Sequence, residues 1–401
     1  MPRFAIRNAA PLAVMFSFMA AQAWAAPPGS FNQLSRAEIE AGWVKLFDGE
    51  TLFGWKANTN VNWRVANGVI SGDSGDAGLL VTTTEFSDYE LRCDFRLEKD
   101  GNSGIFLRTV FQPQNPNRDC YELNICDSHP AFPTASLVSL VKPDKPISGE
   151  GRWMTYHVVV QGNKINVRLD GEPVLSYTDV RPTALKNGYI GLQKNAGKIE
   201  FRNVFLKPLA TRSLFNGQDL TGWHVVPGSK SEFKAVDGLM QVTNGRGFLE
   251  TDETWGDFLL QADVRTNGRN LNSGIFFRAQ KGTAAAPSNG YECQIHNGWK
   301  GDDRRQPLDY GTGGIYRRVP ARRVVSSDFE WFTLTLAAQG PHVAVWVDGE
   351  PVTDWTDDRP ANDNPREGLR LNPGHLSLQG HDPTTNLSFR NLRITAPPAK
   401  Q

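Results

Sequence analysis

Apolar and polar residues alternate at period two along many short stretches of this chain. The runs "YELRCDFRL" (89–97), "WMTYHVVV" (153–160), "INVRL" (165–169), "FLLQADVRT" (258–266) and "HVAVWV" (342–347) all follow it. Successive side chains on a strand point to opposite faces, so these runs predict half-buried strands. "LDGEPV" (169–174) and "VDGEPV" (347–352) place Asp-Gly between β runs, a strong hairpin turn signal. Helical periodicity is absent except in "SRAEIEAGW" (35–43). Many short strands with one polar face predict an all-β fold of antiparallel sheets packed as sandwiches.

The pattern is written twice. "LFDGETLFGW" (46–55) matches "LFNGQDLTGW" (214–223), "NSGIFLR" (102–108) matches "NSGIFFR" (272–278), and "YELNI" (121–125) matches "YECQI" (291–295). "IGLQ" (190–193) then pairs with "LSLQ" (376–379), and "FRNVFL" (201–206) with "FRNLRI" (389–394). The order is kept, so two tandem domains of one fold are expected, 26–209 and 210–401, with a boundary near "KPLATRS" (207–213).

Residues 1–25 carry Arg3 and Arg7, an apolar run from Ala9 to Ala21 and the small-x-small ending Ala23-Trp24-Ala25. This predicts a cleaved signal peptide and export from the cell, to a periplasm or the medium. No later stretch approaches the roughly 20 apolar residues of a membrane span, so no membrane association is expected. Lys plus Arg equals Asp plus Glu at 43 each, and no basic field invites nucleic acid. Among the four cysteines, Cys120 and Cys126 flank an extended run about 20 Å long and cannot pair directly. Cys93 could pair with either, and Cys293 reads as a buried thiol.

Strand parity then locates candidate chemistry. In "YECQIH", Glu292, Gln294 and His296 share the face opposite Tyr291, Cys293 and Ile295. In the motif strand, Ile275 and Phe277 face the core, and Arg278 points the other way with Phe276. Gln379 and His381 share a parity if the strand continues through Gly380. Asn272 opens the motif and is expected in the same cleft, and Trp331 is among the tryptophans that could stack on a sugar ring. The first half keeps Arg108, Glu122 and Asn124, but writes Cys126 for His296 and "QKN" (193–195) for Gln-Gly-His. Histidine titrates near neutrality, so the second half is the better candidate for a catalytic site.

The blocks "LF(N/D)G…L.GW", "NSGIF.R", "YE.QI", "GGIY" (313–316), "EW" (330–331), "V..DG..V" and "FRN" resemble the 3-keto-disaccharide hydrolase domain family, in two copies over nearly the whole mature chain. The resemblance implies a jelly-roll sandwich of the concanavalin A-like lectin and glucanase type. It also implies cleavage of glycosides already oxidised to a ketone at C3, and adds Tyr316 of the "GGIY" segment to the substrate-binding candidates. A ketone at C3 acidifies the C2 hydrogen, so a base can remove it while the substituent at C1 leaves; water then adds to the enone. On this basis Glu292 or His296 is expected as base and His381 as acid, with Arg278 and Gln294 binding the oxyanion and hydroxyls. Asn272, Gln379, Tyr316 and Trp331 would bind substrate. No cofactor is required, although a divalent metal on Glu292, His296 and His381 could stabilise the enolate instead. A non-catalytic carbohydrate-binding protein is the alternative.

Overall fold

The alternating runs are strands, and each half folds them into the same pair of antiparallel sheets. The computed structural model describes residues 31–364 and 366–397; the predicted signal peptide lies outside them. Strands between Val44 and Pro208 form the first pair of sheets, and strands between Arg212 and Thr395 the second. In the second pair, the back sheet runs Glu232–Val236, Leu239–Thr243, Asn386–Thr395, Phe258–Thr266, Phe332–Gln339, His342–Val347 and Glu350–Thr356, with Arg212–Ser213 added beside Asn386–Thr395. The front sheet runs Trp223–Val225, Gly247–Thr251, His375–Gly380, Ser273–Ala279 and Tyr291–Ile295. The first pair repeats both orders. This is the all-β, two-sandwich architecture that the alternation predicts.

Between the two sheets of the second half lie Leu260, Val264, Ile275, Phe277, Cys293, Ile295, Leu336, Val345, Leu378 and Phe389, all essentially inaccessible to solvent. The outer side of its back sheet is also covered: Leu259, Ala337, Ala344 and Trp346 join the core of the first half. That is why "HVAVWV", expected from its alternation to be half-buried, is buried on both faces. Polar contacts edge this seam. The Trp346 indole N–H donates to Lys45 O at 2.9 Å, Gln261 Nε2 donates to Gly42 O at 2.9 Å, and Arg322 pairs with Asp48 at 2.7 Å.

The helical stretch shrinks to one turn and a half, Arg36–Glu40, held by a capping box in which Ser35 and Glu38 satisfy each other's backbone N–H. All four cysteines are free and buried. No disulfide forms between Cys93 and Cys120 or Cys126, because the three thiols lie in separate places: Cys93 in the main core, Cys120 beside Leu79, Val81 and Phe106, and Cys126 with its Sγ 3.8 Å from Ser128 Oγ. Among the described residues no helix is long and apolar enough to cross a membrane.

Candidate active site

The outer face of the second front sheet gathers most of the candidate residues. Strands Ser273–Ala279 and Tyr291–Ile295 are hydrogen-bonded neighbours, with Gly274 opposite Gln294 and Phe276 opposite Glu292. Strand His375–Gly380 flanks them on the other side. Parity therefore brings Glu292 and Gln379 to one surface, and His381 follows just beyond the strand end. They line a cleft of about 440 Å³ with Arg246, Asn272, Ser288, Tyr316, Arg317 and Arg366. A neighbouring lobe of about 300 Å³ continues past Glu292, Tyr316, Arg317 and Arg366 towards Phe276 and Arg318.

Glu292 is 7% exposed, and no hydrogen bond or ion pair reaches its carboxylate among the described residues. Burial pushes its pKa up to about 7; Asp309 adds to the rise, while Arg366 and Arg317 oppose it. Gly274 makes room for this side chain: a Cβ there would sit 2.8 Å from Glu292 Cγ and Oε1. The glycine of the repeated "NSG" is thus a close-approach position under the carboxylate.

Around Glu292 stand groups with unspent capacity. Arg246, Arg317 and Arg366 line the cleft, and none of the three forms an ion pair among the described residues. Arg366 donates to Ser288 Oγ at 3.1 Å, and Arg317 lies 5.3 Å over the Tyr316 ring. Tyr316 packs edge-on against Tyr310 at 5.2 Å between centroids. Asn272 and Gln294 both donate to Asp309 Oδ2, the latter at 2.8 Å. The side-chain oxygens Oε1 of Gln294 and Gln379 are buried without a hydrogen-bond partner among the described residues, and such acceptors suit hydroxyls. His381 Nδ1 lies 2.9 Å from Asp382 Oδ2, which orients the ring and leaves Nε2 without a partner among the described residues. Thr384 and His381 hold the Asp382 carboxyl down at about 2.

Three sequence expectations are corrected. Arg278 is not on the open face. Its φ of 48° breaks the parity of the strand at a register shift, and the side chain, 1% exposed, turns inward. There it pairs with Asp257 at 2.9 Å and donates to the carbonyls of Gly256, Gly340 and Arg370 at 2.8, 2.6 and 2.8 Å. It is a structural clamp. Trp331 sits on the back sheet, where the guanidiniums of Arg265 and Arg390 stack on it at 4.9 and 4.2 Å, and it does not reach the cleft. His296 falls one residue past the strand end at Ile295, where the chain turns: its backbone N–H donates to Thr312 Oγ1 and its Nδ1 accepts from Gly298 N–H at 3.2 Å. It serves that turn and does not line the cleft with Glu292. Among the described residues no group of three or more His, Cys, Asp or Glu side chains gathers as a metal site, so Glu292, His296 and His381 do not converge on one.

Arg246, Ser288, Asp309, Arg317 and Arg366 were missed by sequence reasoning. Arg317 follows "GGIY" directly, and a comparison of loop lengths between the halves would have pointed to Asp309 and Arg366.

The sequence profile of the 3-keto-alpha-glucoside-1,2-lyase-like domain matches residues 42–207 and again 210–395. A 3-keto-disaccharide hydrolase of Bacteroides thetaiotaomicron is 24% identical over 229 residues, 42% of this chain and 79% of that protein. Among solved structures, a protein described as a glycosyl hydrolase from Parabacteroides distasonis is 22% identical with a TM-score of 0.41, covering 45% of this chain and all of that one. A carbohydrate-binding module from Bacillus subtilis is 17% identical with a TM-score of 0.32, covering 38% and 95%. The chain belongs to the 3-keto-alpha-glucoside-1,2-lyase-like domain family and carries that domain twice.

Proposed function

We propose that the second sandwich cleaves 3-keto-glycosides by elimination and hydration, and that the chain is exported to do so. The observation that carries this is one isolated carboxyl, Glu292, with a pKa of about 7, facing three arginines that have no carboxylate partner. A base that titrates near neutrality can accept a carbon-bound proton and release it again. Glu292 removes the proton at C2 of the oxidised ring. The electron pair moves onto the C3 oxygen, where Arg317 and Arg366 meet the developing charge. The enolate collapses by breaking the bond from C1 to the glycosidic oxygen, which takes a proton from His381 Nε2. Water then adds at C1 of the enone and gives a proton to His381 Nε2, a proton returns to C2 from Glu292, and the net result is hydrolysis with both groups restored. Asn272, Gln294 and Gln379 offer donors and acceptors to ring hydroxyls, and Tyr316 offers an apolar face.

Release of product from paired 3-keto and unoxidised disaccharides tests this, using wild type, Glu292→Gln and His381→Ala. Turnover confined to the keto sugars and lost in Glu292→Gln is the expected result. Equal cleavage of unoxidised sugars, or unchanged rates in Glu292→Gln, would overturn it. The same assay with and without a chelator reads any contribution from a divalent cation.

A further inference from the structure

A second pocket of about 440 Å³ lies beyond the turn made by His296, lined by Arg269, Asn270, Asn297, Trp299, Asp302, Asp328 and Phe329 with neighbouring glycines and Ser327. We infer that it is a second carbohydrate-binding site, which stacks a neutral pyranose ring of an oligosaccharide against Trp299 and Phe329 and bonds its hydroxyls through Arg269, Asn270, Asp302 and Asp328.

Phe329 gives the strongest sign. It is 54% exposed and has a φ of 70°, a region where a bulky side chain is sterically penalised. The first half shows what the fold alone asks for at this position. Gly151 stands two residues before Trp153 as Phe329 stands two before Trp331, has a φ of 79°, and its N–H donates to Leu97 O as that of Phe329 does to Thr266 O, at 2.8 and 2.9 Å. Where one copy uses the residue that fits this backbone, the other places an exposed aromatic ring on the wall of a polar pocket. Folding does not explain that choice; a flat apolar partner does.

The rest of the pocket is built to match. Trp299 belongs to a loop far longer than its counterpart in the first half, and Arg304 lies over its ring at 4.3 Å while donating to the carbonyls of Val324, Val325 and Ser326. The indole is therefore held in place before any ligand arrives. Asp328 is fixed by Thr266, Asn297 and the Asn270 N–H at 2.9, 3.1 and 2.8 Å. By contrast, the side chains of Arg269, Asn270 and Asp302 make no hydrogen bond or ion pair among the described residues, so donors and an acceptor are free beside two aromatic rings. Sugar rings present this combination of hydroxyl edges and apolar faces. Asn297 follows Glu292 by five positions, at most about 17 Å of extended chain. A chain of several sugars held at both places would exceed a disaccharide, and this extension rests on the proposed sugar chemistry of the cleft.

Calorimetric titration of unoxidised oligosaccharides, from disaccharide to hexasaccharide, into wild type, Phe329→Gly and Trp299→Ala tests the inference. Wild type is expected to bind the longer ligands more tightly, and each variant to lose about tenfold of that affinity. Phe329→Gly should melt no lower than wild type, because glycine fits the backbone there, so lost affinity is not lost folding. Affinity that does not grow with length, or that survives both substitutions, overturns the second site. Weakened binding in the variants from a protein that cleaves no keto sugar keeps the second site and overturns the proposed activity. Cleavage of keto sugars with oligosaccharide binding untouched in both variants does the reverse.

Discussion

The two sandwiches share nearly every device that makes the fold and differ in most of the charged and aromatic side chains around the buried glutamate, while Asn102 and Gln193 match Asn272 and Gln379. Arg108 repeats the clamp of Arg278, 1% exposed at a φ of 48°, pairing with Asp88 and donating to Ser87, Gly162 and Leu185. Tyr121 donates to Asp179 as Tyr291 does to Asp357, both at 2.6 Å. Trp153 lies under Arg96 and Arg202 as Trp331 lies under Arg265 and Arg390. Around Glu122, however, Tyr316 and Arg317 give way to Val138 and Ser139, and His381 gives way to Asn195. The stretch from Asp357 to Arg370 that carries Arg366 is about twice as long as that from Asp179 to Leu185, and both end on an N–H donated to the tyrosine hydroxyl. Burial raises the pKa of Glu122 as it does that of Glu292, but Gln193 lowers it in part. The repeated motifs therefore hold the fold and the buried glutamate alike, and the two copies part in the side chains placed around it.

The largest expected asymmetry is in turnover. Glu292→Gln should lower kcat on a 3-keto disaccharide by about 10³-fold, the scale of a lost general base, while Glu122→Gln leaves it unchanged. Equal losses would make the two halves equivalent and break the comparison. The next effect should be symmetric. Arg108→Ala and Arg278→Ala each strip three carbonyl oxygens of their donor and leave a half-buried aspartate with only a backbone N–H, and each should cost about 3–5 kcal/mol in chemical denaturation. Lysine should not rescue either, since a single ammonium cannot span the positions that the planar guanidinium reaches. A much smaller loss in one half would mean that its clamp is not structural.

These same residues show how far the sequence could be read. Period-two alternation needs only local information, so the strands and the sandwich class were legible, and parity placed Glu292 and Gln379 on one face, with His381 just beyond. Parity misplaced Arg278 because a single residue at positive φ reverses the face of everything after it, and nothing in "NSGIFFR" announces that shift. Trp331 was misassigned because an aromatic next to a strand reads alike whether sugar or arginine covers it. His296 failed for a simpler reason: the strand stops at Ile295. Arg246, Arg317 and Arg366 come from three separate turns and loops, and only tertiary folding brings them together.

The arginines sharpen the comparison from another side. Arg366→Ala should reduce kcat by about 10²-fold if its guanidinium meets the enolate oxygen, with a smaller change in KM. Steady-state kinetics on the keto sugar decide it. A rise in KM with kcat intact would instead make Arg366 a ground-state binding group, available to a protein that only holds sugar.

The smallest effect is the most diagnostic, because stability and rate should report one titration. The pKa of Glu292 is about 7 in the folded chain, against an ordinary value of 4.5. A raised carboxyl contributes stability that is fully present below the ordinary value and is lost as pH rises through the folded one. Wild type should therefore weaken between about pH 4.5 and 7 relative to Glu292→Gln, whose neutral amide does not titrate, by about 3 kcal/mol, and the difference should then level off. Over the same window kcat/KM of wild type should climb, because only the ionised carboxylate can take the C2 proton. Denaturation midpoints and pH profiles of rate measured on the same samples give the pH at which each curve levels off. Agreement near pH 7 ties the energetic cost of burying Glu292 to its use as a base. A flat stability difference would show that the carboxyl is better solvated than its position implies, and would remove the reason to prefer it over its counterpart, Glu122.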